Sequence, residues 1–404
     1  MDSSTIGVMR EASPEASKKS AVFAIAICCL MMALEGVDNQ LLGIVAPQLM
    51  PQLGINKADT GTIFAMTQVG GVLGALLGGR YSDVWGRRNM MLLACATFSL
   101  FTLFTVFATG FLSMLVIRVF VGVGIGAVMA AGAGLAVESA SPGNHVKAVT
   151  IAMSGMPIGG ALISVFAAST MASLGWKSLF YIGGLLPLVL LPLLLFLPNK
   201  RPARQGQAGG RTAIAALFKD GRHVVTLLVW VIFFVTAAVI YLQLNWLPTL
   251  MTERHFTLTD GQTAAFWFNI GCIGGAWILG FCIDKFGPKL VLPLAYLAFM
   301  AGLVGMSVSV SLTPLLISIT IVGFLAMGSY YCMNGVTALL YPEEIRGLGV
   351  GSALAVGRVG SIIGPFAAGL ILQSGGGPGA VVMATVPAII IAAVAVSALM
   401  IRRA

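Results

Sequence analysis

Apolar residues in this chain gather into long runs. They do not alternate as in half-buried strands, and they do not form the one-sided stripes of soluble helices. A helix crossing a bilayer needs about 20 mostly apolar residues. Twelve such runs can be placed, at about 21–45, 58–82, 89–108, 111–137, 147–171, 177–197, 223–247, 260–283, 289–308, 312–338, 347–372 and 378–401. The segments between them are short, with one exception. Residues 198–222 hold Pro198, Pro202, Gly206, Gly209 and Gly210 among basic residues and read as a linker. The pattern predicts an all-α membrane protein with twelve transmembrane helices in two six-helix halves, 20–197 and 223–404. Residues 1–19 are polar and read as a disordered cytoplasmic tail. No cleavable signal is evident, so the first apolar run is expected to remain as an anchor.

Composition agrees with this reading. Of 404 residues, 58% are hydrophobic and 9% charged. An ordinary soluble chain carries roughly 25% charged residues. So few charges cannot cover a soluble surface, which excludes a conventional soluble enzyme and a disordered chain. The 50 Gly suit closely packed membrane helices.

The net charge of +9 would suggest nucleic acid in a soluble protein. Sorted along the spans, it reports orientation instead. Eighteen of the 23 Lys and Arg fall on the side of the termini, three (Lys57, Lys177, Arg254) on the other, and two (Arg118, Arg358) within spans. That asymmetry predicts cytoplasmic termini in a bacterial-type inner membrane, with the lipid bilayer as partner and no nucleic acid. The chain is expected to act as a monomer. All six Cys fall in apolar segments, and the three His (His145, His223, His255) lie at span ends or in loops. No metal spacing, nucleophile–base pairing or phosphate-binding loop is evident. Neither enzyme activity nor a cofactor is expected.

A repeat relates the halves. After span two comes Gly79-Arg80-Tyr81-Ser82-Asp83-Val84-Trp85-Gly86-Arg87-Arg88, and after span eight Gly280-Phe281-Cys282-Ile283-Asp284-Lys285-Phe286-Gly287-Pro288-Lys289. Both read G-x-x-x-D-x-x-G-x-(R/K) at equivalent places. The segment resembles the signature loop of the major facilitator superfamily, although Val84 stands where that family usually has a basic residue. The resemblance covers the whole chain. It implies gating roles for Asp83, Arg87, Arg88, Asp284 and Lys289, with Glu138, Glu344 and Arg346 as partner charges at the inner ends of spans four and ten.

Charge inside the spans is costly, at about 2.5–3.5 kcal/mol each at the bilayer centre. Four residues bear that cost: Glu35, Asp38, Arg118 and Arg358. At a rise of ~1.5 Å per residue from the inner ends, Asp38 reaches ~25 Å and Arg118 ~28 Å, Glu35 ~21 Å and Arg358 ~16 Å. Asp38 and Arg118 are thus level enough to pair. Glu35 and Asp38 are three apart and share a helix face. Close carboxylates repel when both are ionised, which suits one of them to proton exchange. Arg358 has no acidic residue in its own span. Two readings stay open for it, a substrate ligand and a structural pair. By the family resemblance, Arg118 occupies a position tied to proton coupling. Gly122 and Gly126 follow it on one face and would let another helix approach.

Polar and aromatic residues at other span positions are candidate solute ligands. Tyr241, Asn245 and Trp246 lie near the end of span seven, Asn269 in span eight, Tyr330, Tyr331 and Asn334 in span ten, and Gln40 in span one. Each could equally make an interhelical hydrogen bond, and Trp246 could be an interfacial anchor. Glu35-Gly36-Val37-Asp38 resembles the D/E-G-x-D motif of the superfamily's aromatic acid:proton symporter branch. The form beginning with Glu is that expected of 3-(3-hydroxyphenyl)propionate carriers. Asn245-Trp246-Leu247-Pro248 and Gly357-Arg358-Val359-Gly360 match the same branch. The resemblance implies proton-coupled import of an aromatic carboxylate, of hydroxyphenylpropionate or hydroxybenzoate type. Proton-antiport export of drugs or other organic solutes is the alternative. Two arginines within spans favour an anionic solute.

Overall fold

The computed structural model describes residues 14–139, 145–197 and 214–402, apart from the side chains of residues 14–20, 83, 137 and 145–147. Thirteen α-helices are formed among them. The first half holds α1 (Pro14–Leu53), α2 (Lys57–Trp85), α3 (Arg87–Phe104), α4 (Phe111–Ser139), α5 (His145–Met153), α6 (Gly155–Leu174) and α7 (Trp176–Leu194). The second holds α8 (His223–Glu253), α9 (Leu258–Phe286), α10 (Pro288–Val308), α11 (Leu312–Ala338), α12 (Glu343–Gln373) and α13 (Pro378–Arg402). Together they supply twelve spans long and apolar enough to cross a membrane.

The fifth span is not one helix. α5 and α6 meet at Ser154, whose hydroxyl donates to the Thr150 carbonyl at 2.8 Å. Pro157 follows, and its ring cannot accept an uninterrupted helical turn before it. α1 begins at Pro14, within the segment read as a tail, and runs on through Pro47 and Pro51. Most of the linker lies outside the described residues, but Ile214–Phe218 forms a short 3₁₀ turn. Thr226 fastens that turn to α8 by donating to the Leu217 carbonyl at 2.8 Å.

The repeated motif has a structural cause. Its second glycine ends the preceding helix in both copies, Gly86 at φ 89° and Gly287 at φ 80°. Their N–H groups close onto the carbonyls of Ser82 and Ile283. A side chain at such φ is strained, so glycine is the residue that can make this stop.

Small residues fuse helices within each half. Gly70 and Gly74 of α2 lie against the backbone of Val119 and Val123 on α4, and Gly122 and Gly126 face Thr67 and Gly71 in return. Gly271 and Gly275 of α9 do the same against Thr320 and Phe324 of α11. The glycine stripe after Arg118 therefore serves α2. Gly79, at the end of the α2 stripe, has open space around it.

The halves meet along α2 with α12 and α6 with α9, two equivalent pairings. They are joined most closely at the end opposite the C terminus. There Gly61 faces the backbone of Pro365 and Gly369, about 3 Å from where a Cβ would stand. Lys57 and Glu253 form an ion pair at 2.8 Å. Phe64 meets Trp246 edge-on at 5.3 Å. Among the described residues, no hydrogen bond or ion pair joins the halves at the other end.

Candidate functional site

The four intramembrane charges converge near the middle of the bundle, but they do not pair as one group. Asp38 and Arg118 are 1% and 0% exposed. Arg118 Nη1 donates to Asp38 Oδ2 at 3.2 Å, and the Thr102 hydroxyl donates to Asp38 Oδ1 at 2.7 Å. The guanidinium also lies 4.9 Å from the Phe180 ring centre. Its Nε and Nη2 have no acceptor among the described residues. The pair expected from depth along α1 and α4 is thus formed. Thr102 and Phe180 completed it from α3 and α7, where no spacing in the sequence marked them.

Glu35, 2% exposed, is the other half of the span-one motif. It has no ion-pair partner among the described residues. Asn39 stays within the same helix and donates to the Glu35 backbone carbonyl at 3.2 Å. The charged groups acting on the Glu35 carboxyl are Arg358 of α12 and Asp38. Two carboxylates on one helix face therefore have different fates. One is locked to arginine and threonine, and the other faces the opposite half.

Arg358 likewise has no carboxylate within ion-pair distance among the described residues. Its Nη1 donates to the Tyr241 hydroxyl at 3.3 Å, and its Nη2 meets the Met129 sulfur. Tyr241, Tyr330 and Glu35 are its electrostatic neighbours. Gly357 leaves room for this cluster, since a Cβ there would stand 3.1 Å from the Tyr330 hydroxyl. Phe233 and Tyr331 extend the aromatic wall, with ring centres 5.3 and 6.4 Å from that of Tyr330. Met129, across the seam on α4, is a neighbour that sequence reasoning did not single out.

The amides divide. Asn245 and Asn334 each donate to the carbonyl four residues back, Tyr241 and Tyr330, at 2.7 and 3.0 Å. Asn269 donates across the seam to Gln40 Oε1 at 3.3 Å, and Gln40 donates to the Leu244 carbonyl at 3.2 Å. Gly160 makes space for Asn269, whose Oδ1 would lie 2.6 Å from a Cβ. Trp246 stands elsewhere. It is fully buried, and its Nε1 donates to the Pro365 carbonyl at 2.8 Å. Such burial does not suit an interfacial anchor. In this conformation Trp246 is a peg in the closed seam.

The charges expected from the repeat to act in gating lie at the opposite end, away from this cluster. Arg87 Nε binds Glu138 Oε1 at 2.7 Å, with Gly134 leaving space for the guanidinium. Arg88 Nη1 donates to the Leu195 carbonyl at 3.3 Å. Asp83 lies in the last turn of α2, but its side chain lies outside the described residues. In the second half Arg346 is 3.9 Å from Glu343, one turn away on an exposed face. Asp284, Lys289 and Glu344 have no ion-pair partner among the described residues. Arg87 of the first copy is thus paired with an α4 carboxylate, whereas Lys289 of the second has no such partner among the described residues.

Comparison with known proteins agrees with this architecture. The family model described as Major Facilitator Superfamily matches residues 28–334 and 262–404. The chain is 33% identical to the 3-(3-hydroxy-phenyl)propionate transporter of Escherichia coli (strain K12), over 98% of both chains. It is 31% identical to the gallate transporter of Pseudomonas putida, over 87% of this chain and 85% of that one. It is 30% identical to a 4-hydroxybenzoate transporter of Pseudomonas aeruginosa, over 87% and 86%. Among solved structures, a D-xylose-proton symporter superposes with a TM-score of 0.72 at 16% identity, over 93% of this chain and 96% of that one. A bacterial homologue of the lysosomal transporter Spinster gives 0.71 at 17%, over 95% of each. At these identities the structural likeness speaks for the fold alone. The repeat, the paired halves and the sequence relatives converge: this chain is a multi-pass membrane transporter that belongs to the Major Facilitator Superfamily.

Proposed function

We propose that the protein imports an aromatic carboxylate, of hydroxyphenylpropionate or hydroxybenzoate type, together with protons by alternating access across a bacterial inner membrane. The observation that carries the reading is Arg358, a cation at the centre of the bundle with no carboxylate partner among the described residues and with Tyr241 and Tyr330 beside it. An isolated charge in this setting is costly. A solute carboxylate would supply the missing countercharge, and the tyrosines would hold the ring. The names of the three sequence relatives support the same solute class.

Glu35 is the proton carrier in this scheme. It faces the seam, has no ion-pair partner among the described residues and lies close enough to Arg358 for each to sense the other's charge. Protonating Glu35 removes its negative charge from Arg358 and leaves that cation for the solute. Asp38, tied to Arg118, holds α1 to α4 and keeps Glu35 in register. An anion carried with one proton moves electroneutrally. With two protons, each net charge crossing 100 mV contributes about 2.3 kcal/mol. The halves then rock about the cluster. Asp83, Arg87, Arg88, Glu138, Asp284, Lys289, Glu344 and Arg346 make and break contacts at the inner end.

Uptake of radiolabelled 3-(3-hydroxyphenyl)propionate into membrane vesicles tests the proposal. Accumulation should require an inward proton gradient and collapse with a protonophore. Absence of gradient-driven accumulation of any aromatic acid would overturn it.

A further inference from the structure

A second polar feature lies at the closed end of the seam, remote from Arg358. A cleft of about 830 Å³ opens between the halves there. Pro47, Met50, Pro51, Leu258 and Leu372 give it an apolar wall, and Lys57 and Glu253 face one another across it. Cavities of ~300–1,000 Å³ suit small organic ligands. Of the three basic residues at this end, Arg254 donates to the Met306 carbonyl at 2.7 Å and Lys177 lies over the Trp176 ring. Lys57 is the cation that the cleft presents.

Helix electrostatics do not account for the pair. Lys57 is the first residue of α2, where a positive charge opposes the helix dipole, and Glu253 is the last of α8, where a negative charge does. Each charge is misplaced for its own helix, so their use lies in each other or in a third partner. Both side chains are about one-third exposed, at 32% and 34%. A pair so hydrated is weak and exchanges readily. A carboxylate arriving at Lys57 gains the ammonium, while the α2 N-terminus itself is already capped by the Asn56 side chain, which accepts from the Asp59 N–H at 2.8 Å.

We propose that this cleft is a capture site for the aromatic carboxylate solute, whose carboxylate displaces Glu253 from Lys57 while its ring rests on the proline and leucine wall. Capture then severs an ion pair that joins the halves, so the solute itself loosens the seam it must pass. The inference rests on the aromatic-carboxylate reading but concerns a different place from Arg358.

Initial-rate uptake of 3-(3-hydroxyphenyl)propionate in vesicles tests it, with each variant normalised to its amount in the membrane. Lys57→Gln should raise KM about two- to fivefold, the range of an exposed charge pair, and Lys57→Arg should restore it. Glu253→Gln should lower KM by a similar factor, because it frees Lys57. A simple latch predicts that both neutralisations act in the same direction, since either one breaks the pair. Any result other than opposite shifts overturns the capture site while leaving the Arg358 site standing. A wild-type protein that takes up no aromatic acid removes both.

Discussion

Asp38 and Arg118 stand 3.2 Å apart on α1 and α4, closed off from solvent, with Thr102 as the second donor to the carboxylate. Removing one member of a buried pair leaves the other as an uncompensated charge, at a cost of about 3–5 kcal/mol. Asp38→Asn should therefore lower the thermal stability of the purified protein sharply. The double variant Asp38→Asn with Arg118→Gln should recover at least half of that loss. Equal melting temperatures for the single variant and the wild type would show that the pair adds nothing to the fold.

Arg358 offers a different outcome. Its hydrogen bond to Tyr241 is modest, and among the described residues no carboxylate pairs with it. Arg358→Ala should reach the membrane in normal amount but lose uptake by roughly 10- to 100-fold, the scale of a charge-assisted contact. Wild-type uptake in this variant would return Arg358 to a purely structural role.

Glu35→Gln separates proton handling from solute handling. Under the proposed proton coupling, exchange of labelled for unlabelled solute needs no net proton movement, whereas uphill accumulation does. The variant should retain exchange and lose accumulation. Equal loss of both would argue against a role confined to protons.

Packing gives a control far from the polar cluster. A Cβ at Gly126 would collide with the Gly71 carbonyl, and one at Gly280 would meet nothing within 4 Å. Gly126→Ala should cost at least about 1–3 kcal/mol by overpacking, and Gly280→Ala should be close to neutral. Thermal denaturation in detergent reads both.

Much of the fold was legible because the membrane restricts what a chain can do. Long apolar runs admit one backbone solution, and the basic residues sort by side. The Asp38–Arg118 pair was legible for a related reason: two charges at similar depth have few places to go. Thr102 and Phe180 could not be read in the same way, since a threonine and a phenylalanine in apolar helices carry no mark of their partner. The contact between Tyr241 and Arg358 spans 117 residues and depends on how α8 meets α12. Trp246 misleads for the opposite reason. A tryptophan near a span end suits the bilayer interface, and here the companion half covers it. The break at Ser154 had its signal in Ser154, Gly155 and Pro157, which hydropathy alone averages away.

The glycine faces have a mechanical consequence. Where α2 touches α4 and α9 touches α11, backbone rests on backbone, and no side chain lies between to yield. Such joints resist sliding. Between the halves such contacts are fewer, at Gly43, Gly61 and Gly369, and the rest of the seam is held by a few polar bonds and a tryptophan peg. Deformation will concentrate in that softer plane, so the chain behaves as two stiff shells on a compliant joint, and the central charges lie where the shells part.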